Sequence, residues 1–93
     1  MTVKIGTTGR YEPEVIKIKA GTRVTWENTE RTQRQTVADP GQAEQWDSGN
    51  MARPLGSSDN VKYSHTFTKT GRFTYASDIP GAEDIKGVVF VVP

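Results

Sequence analysis

The sequence contains no cysteine, one histidine and two methionines. Without cysteine, disulfides, thiolate metal sites and cysteine nucleophiles are all excluded. Charge of one sign is also missing: 12 Lys+Arg against 11 Asp+Glu leaves a net charge of +1, too even for the basic footprint that nucleic-acid binding requires. No apolar run approaches the roughly 20 residues of a membrane-spanning helix, and "MTVKIGTTGRYEPE" lacks the apolar core of a signal peptide. The chain is therefore expected to be soluble, with no nucleic-acid partner and no membrane insertion. Its 93 residues leave room for one core, so residues 1–93 are read as a single domain.

What is present is β-strand patterning. In "EVIKIKAG" and "TRVTWEN", Val15 or Ile16, Ile18, Val24 and Trp26 recur at period two, with β-branched residues enriched. "YSHTFTKTGRFTYAS" repeats the pattern on both sides of "TKTG", which predicts a hairpin whose Gly71 takes a positive φ. "GVVFVVP" is a continuous apolar run, read as a central strand covered on both faces or packed deep in a sandwich. Only "GAEDIK" offers a helical turn, too short to extend. Short strands separated by Gly, Pro, Asn and Asp predict an all-β Greek-key sandwich of seven or eight strands, with Trp26, Phe67, Phe73, Tyr75, Val89 and Val91 in the core. Residues 39–60 break the rhythm; they form a long excursion pinned by Trp46 and by Met51 or Leu55.

Catalytic chemistry finds little support. His65 lies in a strand with no Ser–His–Asp spacing around it and is read as a side chain of the polar face. Asp78, Glu83 and Asp84 share one loop but lack the spacing of a calcium loop, so a solvated acidic loop is preferred to a hard-cation site. Ser77 has no neighbouring base and no "GxSxG" elbow. No catalytic residue is assigned. Most aromatic residues fall at strand positions, where core packing is the default. Arg10 with Tyr11 in "TTGRY", and Arg31 and Arg34 in "TERTQRQ", flank loops that make a small basic rim if they share one end of the sandwich. With Asp78 and Glu83, these are the candidate binding-loop residues.

The succession "YEPEVIKIKAGTRVTWEN", "QTV", "WDSG", "YSHTFTKTGRFTY" and then ten residues from Ser77 to Gly87 before "VVFVV" resembles the cupredoxins, in particular the plastocyanin, amicyanin and halocyanin branch. The likeness covers nearly the whole chain. It implies a Greek-key sandwich with copper at one end, held by a histidine ahead of one strand and three ligands in the loop between the last two strands. It also implies an extracytoplasmic or periplasmic setting, with the signal peptide absent from this chain.

Blue-copper chemistry joins two imidazoles and a thiolate to a weak axial thioether. At the positions that the resemblance equates with those ligands stand Gln35, Ser77, Pro80 and Ile85. A shorter register places Ala76, Ile79 and Ala82 in the loop instead, and it too contains no ligand. No cofactor is expected. Gln35 and Ser77 are expected to hydrogen-bond across the former site, with Pro80 and Ile85 shielding it. Two functions follow from the resemblance. The first is a copper-free cupredoxin-fold module, natural or stripped of its ligands by engineering, that binds a protein partner at the former metal end or serves a structural role. The second is a variant of a blue-copper electron-transfer protein. A site for a harder cation built from Asp78, Glu83, Asp84 or His65 ranks below both.

Overall fold

In the computed structural model, which describes residues 1–5, 10–30, 34–77 and 85–93, every regular element is a strand. In chain order these are β1 (Thr2–Ile5), β2 (Tyr11–Glu12), β3 (Val15–Lys19), β4 (Thr22–Asn28), β5 (Val37–Ala38), β6 (Val61–Phe67), β7 (Gly71–Ala76) and β8 (Lys86–Val92). They form two four-stranded sheets, ordered β2-β1-β4-β6 and β3-β8-β7-β5. Each sheet is mixed, since β1 runs parallel to β4 and β3 parallel to β8. The expected all-β sandwich is the observed one; the helical turn expected in "GAEDIK" falls largely outside the described residues.

Alternation along each strand decides what the sandwich encloses. Because successive side chains point to opposite faces, Val3 and Ile5 of β1, Ile16 and Ile18 of β3, Val24 and Trp26 of β4, Phe73 and Tyr75 of β7 and Val89 and Val91 of β8 all turn inward and are buried. All six residues expected in the core lie there. Ile16 rather than Val15 faces the core, and Val15 is 57% exposed on the outer surface. The apolar run of β8 is central in hydrogen bonding, between β3 and β7, but it is covered on one face only. Phe90, on its outer side, remains 38% exposed.

The "TKTG" segment is not a hairpin. β6 pairs with β4 in the first sheet, whereas β7 pairs with β8 and β5 in the second, so the connection arches across the core from one layer to the other. Its backbone donors explain why: the N–H groups of Thr68 and Lys69 go to the carboxylate of Glu44 at 2.8 and 2.9 Å rather than across a two-stranded turn. Gly71 does have the positive φ, +144°, but as the first residue of β7. A Cβ there would lie 3.3 Å from Phe73 Cζ, and Phe73 is buried. Gly71→Ala is therefore expected to lower the unfolding free energy by about 1 kcal/mol or more. An unchanged denaturation midpoint would show that the arch tolerates a side chain.

The long excursion is anchored by Trp46 and Met51, both buried, while Leu55 is fully exposed at 103%. One isolated bridge, Val37 with Asp47, ties it to β5. Asn28, wholly buried at the end of β4, donates its amide to the carbonyl of Met51 at 3.0 Å.

Candidate functional site

The adjacency of β5, β7 and β8 brings three distant sequence positions to one end of the sandwich. Gln35 lies two residues before β5, Ser77 directly follows β7, and Ile85 directly precedes β8. Ala76 pairs with Val37 on one side and Lys86 on the other, and the Ser77 N–H continues the β7–β8 ladder by donating to the Ile85 carbonyl at 3.0 Å. Pro80 lies outside the described residues, as do Arg31, Asp78, Glu83 and Asp84, together with Ile79 and Ala82 of the shorter register.

The converging side chains are engaged with protein. Gln35 donates Nε2–H to Asp47 Oδ1 at 3.1 Å, and its backbone carbonyl accepts the Tyr11 hydroxyl. The bond seen for the Gln35 amide thus goes to Asp47, not across to Ser77. Asp47 Oδ1 also accepts from Gly49 N–H at 2.8 Å. Next to Gln35, buried Thr36 gives its N–H to Ser48 Oγ at 2.9 Å and accepts Trp46 Nε1–H on Oγ1 at 3.0 Å. Ser77 is buried, and Ile85 packs against the core cluster.

Tyr11 is a correction to its placement among binding-loop residues. Pairing of β2 with β1 turns its ring into the core, 4.6 Å from that of Tyr75, and leaves it 1% exposed. Burial raises the pKa of both phenols, that of Tyr75 to about 12, so neither offers a phenolate in neutral solution. The Tyr11–Gln35 bond links the segment of Arg10 to that of Arg34 across the length of the buried tyrosine side chain. Arg10 is partly compensated, its guanidinium lying 3.5 Å from Glu14.

His65 also departs from expectation. Counting back two residues from buried Phe67 puts it on the inner side of β6, where its ring stacks on Trp46 at 5.2 Å and meets Phe67 edge-on at 4.8 Å. Its Nε2 is 2.9 Å from Glu44 Oε1. Glu44 had no signal in the sequence, because its partners are backbone groups 24 and 25 residues further on. Burial works to raise its pKa, but hydrogen bonds from Lys69 N–H, His65 and Thr68 N–H outweigh burial and hold it below the ordinary value of 4.5. A carboxylate stabilised in the folded state contributes stability above the unfolded-state pKa and loses it as pH falls through the folded one. The protein should lose stability on acidification below about pH 4.5. Glu44→Gln should remove most of that dependence and cost roughly 1–3 kcal/mol at neutral pH. Denaturant melts of both proteins across that range check this; parallel pH profiles would contradict it.

The donor set does not fit a blue-copper ion. At the described ligand-equivalent positions there are an amide bound to Asp47, a buried hydroxyl and an alkyl group; the chain has no thiol, and its single imidazole is packed on Trp46 and Glu44. Among the described residues no three His, Cys, Asp or Glu side chains are grouped to hold a metal. A half-open groove lined by Val37, Ala38, Asp39, Pro40, Ala76 and Ser77 runs beside β5 and β7.

No protein-family profile and no curated protein sequence matches the chain. Solved structures do match in fold. A Cu-containing nitrite reductase from Thermus scotoductus SA-01 superposes with a TM-score of 0.83 at 22% identity, over 100% of this chain and 22% of its own. The chain thus spans about a fifth of that enzyme's length. An amicyanin variant in the Cu(I) state matches with a TM-score of 0.80 at 26% identity, and a reduced amicyanin variant with 0.81 at 23%, each over 99% of this chain and 81% of the other. The chain has the cupredoxin fold.

Proposed function

We propose that the chain is a copper-free cupredoxin-fold module that acts by binding another protein, with the contact made at the end where Gln35, Ser77 and Ile85 converge. One observation carries this reading: the described residues at the ligand-equivalent positions offer no soft donor and are taken up by the protein itself, the Gln35 amide by Asp47, the Ser77 hydroxyl by burial and Ile85 by packing on the core. The Arg10 and Arg34 segments, linked through the Tyr11–Gln35 bond, would give this end the polar rim common around protein contacts.

A second reading, a variant of a blue-copper electron-transfer protein, is favoured by the fold match to amicyanin structures over 99% of the chain. Voltammetry of the protein with one equivalent of Cu(II) separates the two. Absence of a reversible one-electron wave is expected; a reversible wave from a bound copper would replace the first reading with the second.

A further inference from the structure

The outer faces of the two sheets are built differently. Across the first sheet, cross-strand register aligns Glu12, Lys4, Glu27 and Lys62 in one row, so charges alternate in sign and sum to zero. No apolar side chain points outward from β1, β4 or β6. On the second sheet the corresponding row is Lys17, Phe90 and Arg72. One step along, Val15 lies beside Val88; one step the other way, Lys19 lies beside Val92. Val15 and Phe90 are 57% and 38% exposed.

The result is a continuous apolar stripe flanked by Lys17, Lys19 and Arg72, without an acidic residue among the outward positions of β3, β7 and β8. Among the described residues, none of these three cations takes part in an ion pair. Asp39 borders the face on the β5 side, where its carboxylate accepts the Thr74 hydroxyl. Lysines on an edge strand also guard against strand addition, and β3 is an edge. β7 is covered by β5 only at Tyr75 and Ala76, so the same protection extends to Arg72; it does not account for Phe90, exposed in register between Lys17 and Arg72.

We infer that the outer face of β3, β8 and β7 is a docking surface for an acidic segment of a partner protein, with Phe90 as the apolar anchor and Lys17, Lys19 and Arg72 as its charge complement. An aromatic ringed by cations matches the composition of contact centres, where aromatics and Arg are enriched. Complementary charge supplies orientation and association rate. A lipid surface fits less well, because Phe90 projects from a flat strand rather than from a protruding loop or helix that can enter a bilayer. This surface is separate from the end proposed above, so its failure leaves the copper-free reading intact.

The probe is a synthetic peptide with glutamates on both sides of a central leucine, titrated into the labelled protein while backbone amide shifts are followed at roughly 20 mM and roughly 150 mM salt. Saturable shifts confined to the outer-face segments of β3, β8 and β7 are expected, weaker at the higher salt. The Lys17→Glu/Arg72→Glu variant should bind about tenfold or more weakly. Phe90→Ser should weaken binding as well, with an unchanged far-ultraviolet spectrum showing that both variants remain folded. Four results would overturn the inference: no shifts, shifts clustered around Gln35, Ser77 and Ile85, an equal response to a lysine-flanked peptide, or affinity unaffected by charge reversal. Co-sedimentation with phosphatidylserine vesicles in the absence of peptide shifts would also overturn it and assign the face to anionic lipid.

Discussion

Replacing Trp46 with alanine should cost about 3–5 kcal/mol, the range for deleting a buried aromatic side chain, and a domain of this size has only about 5–15 kcal/mol in total. Trp46 belongs to no strand, yet its ring is stacked on Trp26 at 5.6 Å and on His65 at 5.2 Å, and packs against Phe67 and Tyr75. It closes the mouth between the sheets. Its loss also removes the donor from Thr36 Oγ1, which is wholly buried and would be left with an unmet acceptor. Residues 39–60 should then lose their anchorage, with amide exchange at Ser48 and Met51 accelerating before the strands open. Trp46→Phe keeps an aromatic but not the N–H, and should cost less than the alanine variant. If chemical denaturation placed Trp46→Ala within 1 kcal/mol of the parent (about fivefold in equilibrium constant), the excursion would be an appendage rather than a wall of the core.

Gly87→Ala should be comparably damaging, at roughly 3 kcal/mol or more. Gly87 is the register partner of Tyr75, and the tyrosine ring lies over the glycine. An added Cβ would sit 2.3 Å from Tyr75 Cζ and 2.4 Å from its hydroxyl oxygen. The ring cannot swing away, because it is buried and held between Tyr11 at 4.6 Å and Trp26 at 5.4 Å. The diagnostic is non-additivity: trimming Tyr75 to leucine removes the clashing atoms, so Tyr75→Leu/Gly87→Ala should be more stable than the sum of the single changes implies. Strict additivity would place the cost in the β8 backbone instead.

These two positions also mark the limits of what the sequence discloses. Period-two alternation identified Trp26, Phe67, Phe73 and Tyr75 as core, since a strand with one covered face must alternate; Val89 and Val91 came from a continuous apolar run, which shows no alternation. Alternation says which face a residue is on but not which strand lies beside it. That is why "TKTG" looks like a hairpin although it arches between sheets, and why Gly87 looks like a boundary although it is the seat of a tyrosine ring. Tyr11 was placed on a loop because β2 is two residues long, too short to display a period. His65 was readable in principle, since it stands two residues from Phe67; its polarity argued the other way, and the Glu44 contact that offsets burial comes from a segment without periodicity. The convergence of Gln35, Ser77 and Ile85 was legible only through the likeness to cupredoxins. Pairing of β5 with β7 and of β7 with β8 is a long-range fact that no local pattern encodes.

The most direct measurement is copper binding by the chain as it stands and by the Gln35→His/Ser77→Cys/Pro80→His/Ile85→Met variant, compared in one titration followed by absorption and by elemental analysis after dialysis. The parent should retain no stoichiometric copper and develop no intense colour, because thiolate, paired imidazoles and thioether are all missing. The folded variant should take up copper with a thiolate-to-copper band. A parent that keeps one copper per chain through dialysis would contradict the account at its centre, and a folded variant that stays colourless would show that these four positions are not the ligand positions of the fold.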